Sequence, residues 1–507
     1  MRRKENHVLA QAGVYLLARG APGILSFLAI PLFSRLLEPE EYGRFALLIA
    51  IVNLGNSLLF QWLRLAVVRF MPGQRHDTGA LRDTLLGATL GISAILGAGV
   101  AIACLFPIGN EWRAMLLACW VVLAVHAMFE LCCEHTRSLM RPWRYMVMQV
   151  LRSGVGLGAG VTLAWLGWGW WAPLLGLAGG MSIGVAYAYA SEWRGTRPRI
   201  DPRLLAALAR YGVPVSLTVA MVVVIGSSDR FLIALMIGEH AAGVYAVAAD
   251  LTSQTIGLLM MVVFMPLFPL AVHAWESEGR AAAVERMRSN GALQLAIGLP
   301  CVAGLTVLTP GVAHCILGQD FRAEAVALIP LVAVAALLAG LKAYHFDASF
   351  QFVHKTLYQT LIVVVAAVAN IALNVLMIPW WGVQGAAIAS ILAYVLALAL
   401  TIALGSRHVA LPIPLGDVAR VALATVAMAT LLYPFRGHVH PLALAAQVAG
   451  GAAAYAAVLV GTNFMNLGHA AAARLRPVAR AARAESRSDI EAGGAAVAGP
   501  LAEARSA

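Results

Sequence analysis

Charged side chains inside long apolar stretches are the residues of this sequence whose chemistry needs an explanation. An ionised group is costly in lipid, so each such residue is a candidate for function or for pairing. The candidates are Arg19, Arg64, Arg69, Glu130, Arg152, Asp229, Arg230, Asp250, Lys342 and Asp347.

Position along the apolar stretches separates these candidates. Arg19 lies near the middle of the first stretch and cannot easily reach either membrane surface, so we expect it to line a cavity. Arg152 lies about two turns into its stretch, where reaching the head groups is less comfortable. Three candidates close to inner helix ends could simply extend to the head groups; they are Arg69, Lys342 and Asp347.

Two neighbouring candidates, Asp229 and Arg230, must point to different faces of a helix. One of them could therefore hold another helix while the other faces a cavity. Asp250 is predicted about two turns from the outer surface, where it could pair with Arg230.

The composition identifies the elements that position these side chains. Of the 507 residues, 61% are hydrophobic and only 12% are charged, whereas a soluble protein carries about 25% charged residues. The stretch from Thr356 to Ser406 contains no charged residue, and about 20 apolar residues cross a bilayer. The sequence therefore predicts an all-α, polytopic integral membrane protein.

The apolar stretches predict about 14 transmembrane helices. Twelve of these would form two six-helix bundles, followed in the chain by an extra pair of helices. The predicted divisions are 1–192 for the N-terminal bundle, 193–210 for a cytoplasmic linker with an amphipathic helix, 211–408 for the C-terminal bundle, 409–470 for the extra pair and 471–507 for a basic tail expected to be disordered.

The charge distribution predicts the orientation. The formal net charge is +11, but the basic residues lie in short alternate loops rather than along one groove. This pattern argues against a nucleic-acid partner and places the basic loops and both termini in the cytoplasm.

A weak internal repeat relates the two predicted bundles. Corresponding residues follow the first span of each half and mark a later turn on the outer side. The pairs are Gly43 with Gly243, Phe45 with Tyr245, Tyr145 with Tyr358, Trp168 with Trp381 and Gly169 with Gly382. Each half contains an even number of helices, so the paired residues lie on the same side of the membrane. This predicts a parallel repeat about an axis along the membrane normal.

Other signals favour structure over catalysis. The six cysteines lie in or beside apolar stretches and are expected to be packing residues. The four glycines of span five predict a close helix contact; they are Gly154, Gly156, Gly158 and Gly160. Neither a phosphate-binding loop of an ATPase nor a nucleophile–base arrangement occurs, so an enzyme is not predicted.

The order of several short motifs resembles one known family. The sequence is similar to the prokaryotic polysaccharide transporters, the oligosaccharide–lipid flippases of the multidrug/oligosaccharidyl-lipid/polysaccharide exporter superfamily. The matching segments are Arg35–Gly43, a second span ending at Arg69, Tyr211–Pro214, Asp229–Arg230, Gly243–Tyr245, Asn374–Pro379, Trp381–Gly382 and Gly385–Ala387.

The resemblance implies that the chain flips an undecaprenyl-diphosphate-linked oligosaccharide, such as an O-antigen, capsule or exopolysaccharide unit, to the outer leaflet. It implies a cavity whose cations bind the diphosphate, namely Arg19, Arg64, Arg152 and Arg230. Candidates for coupling or gating are Asp229, Asp250, Lys342 and Asp347. The resemblance also implies a location in the bacterial cytoplasmic (inner) membrane. Membrane lipids are expected partners, together with a glycan polymerase and glycosyltransferases. No cofactor is expected, and coupling to protons or to sodium stays open.

Three alternatives are ranked below this interpretation. The first is the lipid II flippase of the same superfamily, which also has 14 spans. The second is a multidrug cation antiporter, which is disfavoured because span one offers Arg19 but no carboxylate. The third is a polytopic glycan polymerase or ligase, which typically carries a large outer loop that this sequence lacks.

Overall fold

The computed structural model describes residues 22–71, 78–107 and 109–466, and contains helices but no strand in these ranges. The α-helices are α1 (Pro22–Leu36), α2 (Pro39–Leu59), α3 (Gln61–Phe70), α4 (Thr78–Leu105), α5 (Asn110–Ser138), α6 (Pro142–Trp165), α7 (Trp171–Ala188), α8 (Pro202–Met236), α9 (Glu239–Thr252), α10 (Leu258–Ser277), α11 (Arg280–Val307), α12 (Thr309–Ile316), α13 (Gln319–Leu341), α14 (Ala348–Gln351), α15 (Thr356–Gly405), α16 (Leu415–Leu432) and α17 (Pro441–Gly461). Three π-helical turns continue α7, α9 and α13, at Tyr189–Trp193, Ser253–Gly257 and Lys342–Phe346.

Within the described ranges, 12 helices are long and apolar enough to cross a membrane, and Pro22–Leu36 is a shorter apolar helix. The 50-residue helix α15 bends at Gly382 and covers two of the predicted spans. The prediction of an all-α, multi-pass membrane protein is confirmed. The total of about 14 spans stays a prediction, because part of the first one lies outside the described residues.

Two predicted elements differ from the structure. The second predicted span is broken at Phe60, whose φ of −123° ends α2 before α3 begins. The predicted amphipathic linker helix is continuous with span seven, since α8 runs from Pro202 to Met236 without interruption. Asp201 caps α8 by accepting hydrogen bonds from the backbone nitrogens of Arg203 and Leu204 at 2.9 and 3.3 Å.

Helices α6 and α7 pack closely through glycines. A Cβ on Gly176 would lie 2.5 Å from the carbonyl oxygen of Gly156 and from the nitrogen of Gly160, so a side chain there would separate the helices. Gly154 and Gly158 face open space instead. The predicted small-residue face is therefore made by alternate glycines, Gly156 and Gly160.

The two halves of the chain meet at their predicted outer ends through α2 and α9. Gly43 and Gly243, which the repeat pairs in sequence, face each other at this crossing. A Cβ on Gly43 would lie 2.2 Å from the carbonyl oxygen of Glu239, and one on Gly243 would lie 1.9 Å from that of Pro39. Contact between repeat-related residues is expected where they lie at a two-fold axis between the halves.

The second pair of repeat-related turns also has matching geometry. Gly169 and Gly382 have positive φ angles of 54° and 56°, a conformation that glycine adopts readily and other residues rarely do. The repeat predicted from Trp168-Gly169 and Trp381-Gly382 is thus visible in the backbone.

The halves also touch at their predicted inner ends, through α3 and α8. A Cβ on Gly212 would lie 2.4 Å from the carbonyl oxygen of Trp62. The rings of Phe70 and Tyr211 are 6.1 Å apart, and the Arg69 guanidinium lies 5.8 Å from the Tyr211 ring centroid. Arg69 therefore belongs to a contact between the halves.

Candidate functional site

A cavity of about 460 Å³ lies between the two halves. Helices α1, α2, α6 and α7 line it from the N-terminal half, and α8 and α9 line it from the C-terminal half. Its polar lining is unusual for the interior of apolar helices and consists of Ser26, Tyr42, Asn53, Gln149, Arg152, Ser153, Ser227, Arg230, Asp250 and Gln254.

Arg152 enters the cavity from α6. Gln149, Arg152, Ser153 and Gly156 all line the cavity and recur at three- and four-residue intervals, which places them on one face of the helix. The close packing of α6 on α7 fixes this face, because the carbonyl oxygen of Arg152 lies within 2.4 Å of a Cβ built on Gly180. The Arg152 side chain is 30% exposed, so its charge is available inside the cavity.

Arg230 enters the cavity from α8 and is paired. Its Nη2 donates to Asp250 Oδ1 on α9 at 2.5 Å, and the Tyr42 hydroxyl on α2 donates to Asp250 Oδ2 at 3.1 Å. This confirms the expected pairing of Arg230 with Asp250. The chain of contacts joins the two halves, because Tyr42 belongs to one and Asp250 to the other.

Arg64 lies behind the cavity wall. Its Nη1 donates to Glu130 Oε2 at 3.0 Å, and Arg152 Nη1 donates to Glu130 Oε1 at 3.4 Å. Arg64 is not among the residues that line the cavity. Its connection to the cavity runs through Glu130 and Arg152, because α3 turns its arginine toward α5.

Asp229 faces away from the cavity and is 4% exposed. Its carboxylate accepts hydrogen bonds from side chains on two other helices, α9 and α15, the latter from both sides of its bend at Gly382. The donors are Tyr245 at 2.5 Å, Asn370 at 3.1 Å, Asn374 at 2.7 Å and Ser390 at 2.5 Å. The expectation that one of Asp229 and Arg230 holds helices while the other faces a cavity is confirmed.

Lys342 and Asp347 are paired with each other at the inner end of α13. Lys342 Nζ donates to both carboxylate oxygens of Asp347 at 2.9 Å, and the residues are 6% and 3% exposed. The π-helical turn makes this possible, because its i to i+5 spacing brings the two residues onto one face. Neither side chain extends to the head groups.

The structure thus brings together Arg152, Arg230 and Asp250 of the predicted site. Arg19 lies outside the described residues. Tyr42 and Gln149 also line the cavity and were not predicted. Polar residues at helical spacing around Arg152 are a signal in the sequence for Gln149, whereas Tyr42 has none. In the described part of the chain, no group of three or more His, Cys, Asp or Glu side chains could hold a metal ion.

Two helical bundles around a polar cavity define a multi-pass membrane protein with the fold of a two-bundle transporter. The sequence matches the family described as polysaccharide biosynthesis protein over residues 32–326. This is more than half of the 507 residues. The chain belongs to this family, which confirms the resemblance found from its motifs.

Two curated relatives are similar at low identity. The probable low-salt glycan biosynthesis flippase Agl15 of Haloferax volcanii is 23% identical over 81% of this chain and 86% of its own length. The succinoglycan biosynthesis transport protein ExoT of Rhizobium meliloti is 23% identical over 51% of this chain and 53% of its own. Both are named as flippase or transport proteins, in agreement with a transporter rather than an enzyme.

Two solved structures have a similar fold. The lipid II flippase MurJ in an inward closed conformation has a TM-score of 0.75 at 13% identity, over 89% of this chain and 98% of its own. An inward-facing multidrug transporter of the MATE family has a TM-score of 0.60 at 16% identity, over 78% of this chain and 98% of its own. At these identities the comparisons show the fold.

Proposed function

We propose that the chain is a flippase that moves an undecaprenyl-diphosphate-linked oligosaccharide from the inner to the outer leaflet. The observation that supports this most is the polar cavity between the halves, into which Arg152 and Arg230 project from opposite sides. A diphosphate is bound well by guanidinium groups, which donate paired hydrogen bonds to its oxygens. The prenyl chain would stay in lipid while the head group crosses through the cavity.

The contacts between the halves support alternating access. At the predicted outer side, Arg44 on α2 pairs with Glu239 on α9 at 2.5 Å, and His240 lies 3.1 Å from Glu40 and 3.2 Å from Glu324. These contacts and the crossing of Gly43 with Gly243 close the outer end. The inner contact between α3 and α8 is closed as well, and rocking the two bundles about the repeat axis would open one end while the other stays closed.

Charge in the cavity disfavours the multidrug cation alternative. Two arginines line the cavity, and its one acidic residue among the described residues, Asp250, is already neutralised by Arg230. An anionic ligand therefore fits the lining better than a cation. A lipid II flippase stays the alternative function, because it would also bind an anionic diphosphate lipid. Complementation of a strain that lacks its own lipid II flippase would distinguish the two functions.

Asp229 stays a candidate for coupling transport to an ion gradient. Its buried carboxylate, next to Arg230 on α8, connects this helix with α9 and α15. Asp250 is the candidate for gating, because it connects the halves through Tyr42. The Lys342–Asp347 pair lies inside the C-terminal half, away from the cavity lining, and is the weaker candidate for coupling or gating. Flipping driven in liposomes by a proton gradient or by a sodium gradient would identify the ion.

The cellular setting is part of the proposal. We place the chain in the cytoplasmic membrane with both termini inside, beside the glycosyltransferases that build its substrate and a polymerase that consumes it. Alkaline phosphatase fused after Arg407 should be inactive, since the loop there is predicted to be cytoplasmic. An active fusion would contradict the orientation.

Export in cells tests the function. Arg152→Ala should reduce surface glycan by more than about tenfold without lowering the amount of protein. Arg137→Ala is the matched control, because Arg137 pairs with Glu134 one turn from the end of α5 and lies outside the cavity lining. Normal glycan export by Arg152→Ala would remove this residue from the site.

A further inference from the structure

The carboxylate of Glu130 lies on α5 between arginines from two neighbouring helices. Arg64 on α3 approaches one oxygen at 3.0 Å and Arg152 on α6 approaches the other at 3.4 Å. His126, one turn earlier on α5, places Nε2 at 3.7 Å from Oε1. The Glu130 side chain is 24% exposed, so most of its surface is covered by the protein.

The charges in this cluster are not balanced. Two guanidinium groups share one carboxylate, and the buried Nε of Arg64 has no hydrogen-bond partner. Of the two hydrogen bonds, the one from Arg152 is the longer and therefore the weaker. Of Arg64 and Arg152, it is Arg152 that lines the cavity. A ligand in the cavity could therefore recruit Arg152, while Arg64 keeps Glu130 paired.

We propose that Glu130 is the resident counter-ion of Arg152, and that the diphosphate of the substrate displaces it when the cavity fills. This inference rests on the proposed function. The diphosphate carries more negative charge than a carboxylate and can accept paired hydrogen bonds from the guanidinium. Since Arg64 remains bound to Glu130, the displaced carboxylate is not left as an unpaired buried charge.

Competition of this kind limits the affinity of the cavity for its ligand. Arg152 exchanges one anion for another, so only the difference between the two interactions contributes to binding. The same competition favours release of the head group on the outer side, because Glu130 pairs with Arg152 again as the diphosphate leaves. Glu130 is thus a positioning residue that acts through Arg152.

Binding to the purified, full-length protein in nanodiscs tests this role, with undecaprenyl diphosphate as the probe. Glu130→Gln keeps the size of the side chain and removes its charge. We expect this variant to bind the probe about tenfold more tightly than the wild type, a difference of roughly 1.4 kcal/mol. A purely structural role would weaken binding instead.

Glu134→Gln is the matched control, because Glu134 lies one turn further along α5 and pairs with Arg137 outside the cavity lining. Its affinity should equal that of the wild type. In the Arg152→Ala background, Glu130→Gln should no longer tighten binding. Should Glu130→Gln fail to fold, Glu130→Asp, which draws the carboxylate back from Arg152, should show a smaller tightening.

The outcomes separate the two claims. Equal or weaker binding by folded Glu130→Gln or Glu130→Asp, beside a wild type that binds the probe, overturns the counter-ion role and leaves the proposed function standing. Absence of binding to the wild type overturns the proposed function and the counter-ion role together.

Discussion

Gly43 and Gly243 pack against each other at the crossing of α2 and α9, with the nitrogen of Gly43 only 2.9 Å from the place where a Cβ of Gly243 would lie. The internal repeat pairs these two residues in sequence, and the structure joins them in space. The outer contact of the two halves therefore depends on positions that tolerate no side chain.

Gly243→Ala should open the outer end of the cavity. Its Cβ would lie 1.9 Å from the carbonyl oxygen of Pro39, so α2 and α9 must separate. A cysteine at Ser227 in the cavity lining, in a chain whose six natural cysteines are replaced, should react several-fold faster with a membrane-impermeant maleimide added outside. Gly91→Ala, where no neighbour lies within 4 Å, should leave the rate unchanged. Equal rates in both variants would argue against the closed contact.

Charge reversal should test the ion pair of Arg44 with Glu239. Both side chains are about one-third exposed, 35% and 37%, so the pair contributes less than about 1 kcal/mol to stability. It can nevertheless bias the closing of the outer end. Arg44→Glu should lower glycan export several-fold at equal protein amount, and the double variant Arg44→Glu/Glu239→Arg should restore most of it. A double variant no better than the single would show that the pair does not act at this contact.

Asp229→Asn should destabilise the C-terminal half. One oxygen of the Asp229 carboxylate accepts hydrogen bonds from the amides of Asn370 and Asn374, and the other accepts from two hydroxyl groups. An asparagine at position 229 keeps one oxygen but loses the charge and turns an NH2 group toward one pair of donors. The expected cost is about 1–3 kcal/mol, seen as a lower unfolding midpoint in detergent. Asp417→Asn, at the start of α16, should change the midpoint little. An unchanged midpoint for Asp229→Asn would contradict the hydrogen-bonding described for this carboxylate.

Lys342 and Asp347 should show strong coupling in a double-mutant cycle. Removing one partner leaves the other buried without its counter-charge, at a cost of about 3–5 kcal/mol. Lys342→Met and Asp347→Leu should each lower the unfolding midpoint, whereas the double variant should lose less than the sum of the two. Additive losses would mean that the pair contributes no mutual stabilisation.

Much of the fold follows from the sequence because its physical basis is simple. Uncharged runs such as 356–406 must cross lipid, and the paired turns at Gly169 and Gly382 need glycine at a positive φ. Likewise, adjacent residues on a helix must diverge, which correctly separated Asp229 from Arg230. These inferences need only local geometry and the cost of charge in lipid.

Other features depend on tertiary contacts that no local pattern reveals. The break at Phe60 re-aims α3 and turns Arg64 toward Glu130 rather than into the cavity. The π-helical turn pairs Lys342 with Asp347, at a spacing that an ordinary α-helix would place on different faces. One departure is a break at a single residue and the other is one π-helical turn, and neither has a clear signal in the sequence.

Flipping by the purified protein in liposomes tests whether the chain moves a lipid-linked oligosaccharide across the bilayer. The substrate would be an undecaprenyl-diphosphate-linked oligosaccharide with a fluorescent sugar, and an impermeant quencher would report the fraction in the outer leaflet. The wild type should equilibrate the lipid between leaflets at a rate that Arg152→Ala reduces by more than about tenfold and Arg137→Ala leaves unchanged. Wild-type liposomes no faster than protein-free ones, or an Arg152→Ala variant as fast as the wild type, would contradict the proposed function.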